Sequence, residues 1–340
     1  MKSKIFRQKK FRLQSAKKIL MKVTKRAISD TSGSSKRIKL EHIEVEIESE
    51  TTELAPNVFT KVDPEDMAKC NGPPKWSEIY NQLVWMRSKF FAPVDTQGCE
   101  RMPNTINRNI KTRNPKIYRF QLLISLMLSS QTKDEVNYEA MKNLHNGLLK
   151  VHPDGLCIES VLKLSESEID AYIKKVGFHN RKAQYIRKTC SILMENHGGD
   201  IPKTIEEIVA LPGVGPKMGF LLLQSGWGIN AGIGVDVHLH RLALMWGWVS
   251  PKANTPEKAR IELQEWLPKD YWTDINPLVV GFGQVICVPR AANCDICTLA
   301  RDGLCKGVNK KLLKTPLSEE RINKLSKQRA DLSQLLKEFM

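Results

Sequence analysis

The sequence predicts an all-α protein of about ten helices. Two observations carry this prediction. Apolar residues recur at helical spacing through most of the body, as in Phe120, Leu123, Leu126 and Met127. No stretch between residues 76 and 310 reads convincingly as an alternating strand or a hairpin, and no internal repeat is present.

The 340 residues are 41% apolar and 26% charged, which fits a globular chain able to bury one large core or two modest ones. The formal charge is +16 and uneven: residues 1–75 hold +7, residues 311–340 hold +3, and the body keeps +6. A moderately basic body with basic tails suits a polyanionic partner, although mild charge excess also serves plain solubility. No apolar run is long enough for a membrane span and no signal-peptide core is visible, so a soluble protein is expected. Of eight cysteines, Cys70, Cys99, Cys157 and Cys190 are scattered and four cluster near the end. This usage favours a reducing compartment and one thiolate metal site over a disulfide framework.

Taken in order, residues 1–29 carry eleven Lys or Arg and no acid. They read either as an organelle transit segment or as a basic arm for nucleic acid. Residues 34–39 (Ser-Ser-Lys-Arg-Ile-Lys) form a short basic cluster suited to nuclear import, and Glu44, Glu46, Glu48 and Glu50 alternate with other residues. Residues 1 to about 72 are read as mostly disordered, the domain limit being set at 75. Order is expected after Gly72-Pro-Pro74, with Ser77 capping a helix that carries Ile79, Leu83, Met86 and Phe90. A loop over 93–115 follows. Helical patterns then occupy 118–129, 134–149, 159–164, 166–176, 182–194, 205–211, 238–246, 256–266 and 272–284. Residues 311–340 read as a charged, solvated tail that helical spacing of Leu332, Leu335 and Leu336 could turn into a helix.

Leu211-Pro-Gly-Val-Gly-Pro-Lys217 separates two of these helices. Gly213 and Gly215 permit unusual backbone angles, and Pro216 suits the first position of a new helix. The result is a helix, a tight turn and a second helix whose first amides can meet an anion such as a DNA phosphate. Lys217 lies in that first turn. Amines at helix starts are pressed toward the neutral, nucleophilic form; the plainer role is a phosphate contact. Asp236 stands nineteen residues later in Val235-Asp-Val-His-Leu-His-Arg241. A carboxylate there could stabilise positive charge or take a proton, or simply cap the next helix. His238 and His240 sit on different faces of that helix and are read as structural or DNA-facing. Cys287-x6-Cys294-x2-Cys297-x7-Cys305 is a compact four-thiolate set, suited to zinc or to an iron–sulfur cluster.

The hairpin with Lys217 and Asp236, together with the four late cysteines, resembles the endonuclease III family of DNA glycosylases over roughly residues 76–305. The resemblance implies two helical lobes with the active site between them. One lobe would be 125–245, and the other 76–124 together with 246–310. It implies a bifunctional glycosylase and abasic-site lyase acting on double-stranded DNA with oxidised pyrimidines such as thymine glycol. In this scheme Lys217 attacks the anomeric carbon, Asp236 assists, and β-elimination cleaves the strand. It favours a [4Fe–4S] cluster on Cys287, Cys294, Cys297 and Cys305, with zinc as the alternative. The last interval is x7 where the family usually has x5, which puts the placement of Cys305 to the test. Arg290 would lie near phosphates. Met127-Leu-Ser-Ser-Gln-Thr-Lys-Asp134 resembles a second family signature, which nominates Gln131 to fill the gap left by an extruded base. Val176-Gly-Phe-His-Asn-Arg-Lys182 resembles the wedge loop, which nominates Phe178 for intercalation and Arg181 and Lys182 for the backbone. A monomer in the nucleus is expected, with the mitochondrion as a second destination. Adenine-specific glycosylases lack a lysine at position 217, and 8-oxoguanine glycosylases lack the cysteine loop. A non-enzymatic clamp would need neither Lys217 nor Asp236, and an electron carrier would need no hairpin.

Overall fold

The computed structural model describes residues 58–340. The basic arm, the 34–39 cluster and the acidic alternation lie outside the described residues. Every regular element among the described residues is helical. No described helix is long and apolar enough to cross a membrane.

Two buried cores organise this chain. One gathers residues 102–223; the other gathers 59–92 and 233–336. Both limits of the central lobe therefore shift toward the N-terminus from the expected 125 and 245. Helix continuity explains the shift, because no helix can be shared out between two cores at its middle.

Ordered structure also starts earlier than expected. Phe59 and Val62 are buried in the second core, and Asp63 caps α1 (Pro64–Lys69). Helix α2 (Trp76–Arg87) buries Ile79, Tyr80, Leu83 and Met86. Its N-cap is Lys75 in the left-handed region, not Ser77, which lies inside the first turn. The expected loop over 93–115 holds three short helices, α3 (Pro93–Gln97), α4 (Met102–Ile106) and α5 (Ile110–Arg113). Proline in the first turn of α3 and α4 loses no helical hydrogen bond there. Helix α6 (Pro115–Ser129) is buried on nearly every face and forms the axis of the first core. Around it stand α7 (Asp134–Leu148), α8 (Ile158–Leu162), α9 (Glu166–Ile173), α10 (His179–Asn196), α11 (Ile205–Val209) and α12 (Pro216–Leu222). A π turn, Leu223–Trp227, ends α12 and starts the return to the second core.

There α13 (Val237–Trp246) packs against α15 (Ile275–Val285), with α14 (Pro256–Trp266) between them in sequence. The C-terminal residues are not a solvated tail. After α16 (Thr298–Arg301) and α17 (Lys310–Lys314), helices α18 (Glu319–Ser326) and α19 (Ser333–Leu336) bury Leu325, Leu335 and Leu336 in the second core. Arg321 anchors them through paired hydrogen bonds of 2.7 and 2.9 Å to buried Asp295. A few leucines at helical spacing were enough to overrule a charged composition.

Candidate active site

The helix-hairpin-helix forms as the sequence predicts. Thr204 caps α11 by accepting from Glu207 N, and the chain turns through Gly213 into α12. The two glycines differ in what they do. Gly213 has φ +76°, and a Cβ there would sit 2.4 Å from Tyr185 Cδ2. Gly215 has φ −104°, which any residue adopts, and a Cβ there would meet nothing within 4 Å. Gly213 is thus demanded by the turn. Gly215 instead leaves open space in front of the first amides of α12. Gly213→Ala is expected to lose about 1–3 kcal/mol of stability through strain, and Gly215→Ala much less; a urea midpoint comparison checks both.

Lys217 occupies the second position of α12, half-buried. Asp236 is the N-cap of α13 and accepts from Leu239 N at 2.8 Å, so the cap fixes the carboxylate through one of its oxygens. Val237 beside it is 70% exposed. Burial lowers the pKa of His238 most; Asp236 raises it, and Lys217 lowers it. His238 Nδ1 is buried without a hydrogen-bond partner, and the ring packs against Gly283 of α15.

Sequence reasoning gave no role to Asp134, although it closes one of the quoted motifs. It starts α7 and senses Lys217. Burial holds its carboxyl above the usual range, against a 2.8 Å hydrogen bond from Gln284 Nε2. Gln284 Oε1 in turn accepts from Val94 N at 3.0 Å. The neighbouring Asp95 is paired with Arg87 through 2.7 and 2.9 Å contacts, both side chains being buried. Cys99, one of the scattered cysteines, also faces Lys217 and Asp134, and burial pushes its thiol up to about 11. An acid at the start of a helix beside a glutamine-bearing turn was the available signal for Asp134. Nothing in sequence spacing could have found Cys99.

On the rim, Ser129 to Thr132 makes a type II turn closed by Thr132 N donating to Ser129 O at 3.2 Å. Gln131 takes its third position at φ 51°, where glycine is usual. Phe178 is the N-cap of α10 at φ 57° and is 61% exposed. A Cβ on Gly177 would lie 2.8 Å from Gln131 O, so the two loops abut. Two left-handed, non-glycine, exposed residues thus stand side by side, each carrying roughly 1–3 kcal/mol of strain. Arg181 is exposed. Lys182 is not available to a DNA backbone: it is 6% exposed, and its ammonium donates to Leu128 O at 2.8 Å and Ser130 O at 2.7 Å. The sequence showed a basic run; it did not show that α10 turns this one lysine inward. Arg187 likewise donates to Leu162 O and Leu164 O at the end of α8.

Cys287, Cys294, Cys297 and Cys305 are free thiols lining one small apolar cavity with Trp246, Phe282 and Ile286. Burial raises Cys287, Cys305 and Cys297, the last to about 12. The two extra residues before Cys305 are taken up by one-turn α16 and by Gly303 at φ +67°, after which Cys305 N donates to Leu299 O. The x7 interval therefore returns Cys305 to the same cavity. Trp246 Nε1 is buried beside the Cys305 thiol, whose pKa it lowers against the effect of burial. Arg241 Nη1 donates to Cys287 Sγ at 3.8 Å and Asn309 N to Cys294 Sγ at 3.4 Å. Donors around buried sulfurs suit thiolates that carry charge to a metal. Among the described residues, no three of His, Cys, Asp and Glu converge on a point suited to one metal ion. Arg290, in the loop after Cys287, is exposed.

A helix-hairpin-helix, its lysine and a downstream capping aspartate define a class of protein. The profile of the HhH-GPD superfamily of base excision DNA repair proteins matches residues 124–269. An endonuclease III homolog of Schizosaccharomyces pombe is 47% identical over 233 residues, 68% of this chain and 62% of that protein. Endonuclease III homolog 2 of Saccharomyces cerevisiae is 42% identical over 280 residues, 79% of this chain and 73% of that one. Endonuclease III-like protein 1 of Gallus gallus is 40% identical, covering 67% and 79%. The chain belongs to the endonuclease III family. It spans less than two thirds of the S. pombe relative. Its fold is shared with a solved non-covalent endonuclease III–DNA complex, at TM-score 0.51 and 23% identity over 66% of this chain and 100% of the other.

Proposed function

We propose that this protein is a bifunctional DNA glycosylase and abasic-site lyase of base excision repair, acting on oxidised pyrimidines such as thymine glycol. The observation that carries the reading is that Lys217, from the hairpin, Asp236, the cap of α13, and Asp134 all act electrostatically on the one half-buried ring of His238. One amine with nearby carboxylates is what an imine mechanism requires. The lysine nitrogen bonds to the sugar C1′ as the bond from C1′ to the base breaks, and the base departs with the electron pair, then takes up the proton that the amine sheds by way of Asp236. Asp236 stabilises positive charge on the sugar and receives the proton shed by the amine. Ring opening yields the imine, loss of a C2′ proton expels the 3′ phosphate, and water frees the lysine. Gly215 leaves room for a phosphate at the first turn of α12, while Gln131 and Phe178 enter the duplex where the base leaves. Arg181 and Arg290 are exposed and contact the backbone.

The test is borohydride trapping on duplexes with thymine glycol, an abasic site or no damage. Trapping on thymine glycol supports both activities. Trapping on the abasic site alone removes the glycosylase assignment for that lesion. No trapping leaves a binding protein.

The thiol cavity is assigned to a [4Fe–4S] cluster, held by Cys287, Cys294, Cys297 and Cys305. Four thiols on one apolar cavity are a donor set for either group, and the endonuclease III family favours the cluster over a single zinc ion. When bound, the cluster ties the loop around Cys287 to the C-terminal segment and carries no step of the excision chemistry. Purified protein is expected to be brown with about four iron atoms per chain; colourless protein with one zinc would replace the assignment. Double-stranded DNA is the partner, and a monomer suffices because one chain supplies the whole site. Nuclear placement, with the mitochondrion second, rests on the basic residues before 40.

A further inference from the structure

We propose that Lys182 is a positioning residue for base extrusion, a buried clasp that holds Gln131 and Phe178 in register. This rests on the base-excision reading above. The Lys182 ammonium reaches Leu128 O, Ser130 O and, at 3.5 Å, Thr132 Oγ1. Those three acceptors bracket Gln131, the turn residue at φ 51°. Thr132 Oγ1 accepts from Gly177 N at 3.3 Å, and Gly177 precedes Phe178. The Lys182 amide donates to Phe178 O at 3.0 Å. One residue thus binds the Gln131 turn through its side chain and the Phe178 turn through its backbone.

The choice of lysine is informative. Burying an ammonium is unfavourable, and here burial brings its pKa down to about 8, with only Cys99 opposing. The acceptors at the end of α6 sit beside an exposed turn, where water could serve them. Helix stability alone therefore does not require a buried cation. What the cation adds is rigidity between two exposed left-handed residues, and two wedges entering one duplex must keep their spacing before DNA arrives.

The experiment uses the full chain with a thymine glycol duplex carrying a fluorescent adenine analogue opposite the lesion, which brightens as stacking is lost. Unstacking amplitude and single-turnover base release are read for the parent, Lys182→Met, Lys182→Arg and Gly177→Ala. Trapping on an abasic site in single-stranded DNA, where nothing need be extruded, is the control. Lys182→Met and Gly177→Ala are expected to lower unstacking and base release by about tenfold to a hundredfold. Trapping on the single strand should stay within about threefold of the parent. Lys182→Arg restores part of the unstacking by keeping a cation on the carbonyls. Parent-like unstacking in folded Lys182→Met overturns the proposal. So does an equal loss on both substrates, which would mark a merely structural lysine. If Lys182→Met does not fold, Gly177→Ala, which displaces Gln131 O from the other side, decides by the same readings. A parent that releases no base and traps on no abasic DNA would instead sink the base-excision reading.

Discussion

Lys217→Gln is expected to abolish borohydride trapping on every damaged duplex and to slow base release and strand cleavage by roughly 10⁴-fold or more. Glutamine is one atom shorter, keeps a polar end at the start of the helix, and has an amide nitrogen with no lone pair able to form an imine. Lys217 is half-buried at the second position of a seven-residue helix and packs no core, so folding and affinity for damaged DNA should survive. Affinity measured on an abasic duplex separates the outcomes. Lost catalysis with retained binding supports the nucleophile. Retained base release with lost strand cleavage would make the displacement step the work of a water held by Asp236.

Asp95→Ala is expected to produce the largest loss of stability among the described side chains, about 3–5 kcal/mol. Arg87 is 1% exposed, and its guanidinium lies between the rings of Phe59 and Phe90. It donates to both Asp95 oxygens and to Phe90 O. Asp95 Oδ2 also accepts from Ala92 N at 2.7 Å. Alanine would leave a buried cation without its anion. A Cβ on Gly281 would come within 2.5 Å of the same guanidinium, so Arg87 cannot relax toward α15. A shifted urea midpoint with unchanged slope checks the prediction. The effect should reach the site as well, because Val94 holds Gln284, and Gln284 holds Asp134. An Asp95→Ala protein as stable as the parent would show that the pair only offsets its own desolvation.

Helix existence was legible in the sequence wherever apolar spacing ran for several turns, as over 118–129 and 256–266. The hairpin, Lys217, Asp236 and the cysteine set were legible because local chemistry marks them: glycine at a turn, proline at a helix start, thiols at short intervals. Two kinds of information were not. Lys182 and Arg181 are neighbours in a basic run, and only the packing of α10 decides that one is buried and the other exposed. The edges of the cores were missed for a similar reason. Phe59, Val62 and Leu325 are isolated apolar residues in charged surroundings, and their burial depends on partners from other elements of the core, as Phe59 does on Arg87. Asp134 and Cys99 belong to the same category, since they come near Lys217 only when separate helices assemble around the first core.

Lys217 lies on a helix whose Leu221 and Leu222 belong to the first core, whereas Asp236 lies between Val235 and Leu239 of the second. The proposed nucleophile and its carboxylate are therefore carried by different bodies, although nineteen residues separate them in sequence. The active site is in effect a joint. Its geometry is set by contacts that span the joint, such as Gln284 to Asp134 and Arg329 to Glu135, rather than by the chain that runs through it. A small rigid rotation at that joint separates amine from carboxylate while every helix keeps its hydrogen bonds. On the proposed function, gripping DNA on both sides of this joint would convert binding energy into the alignment of two side chains.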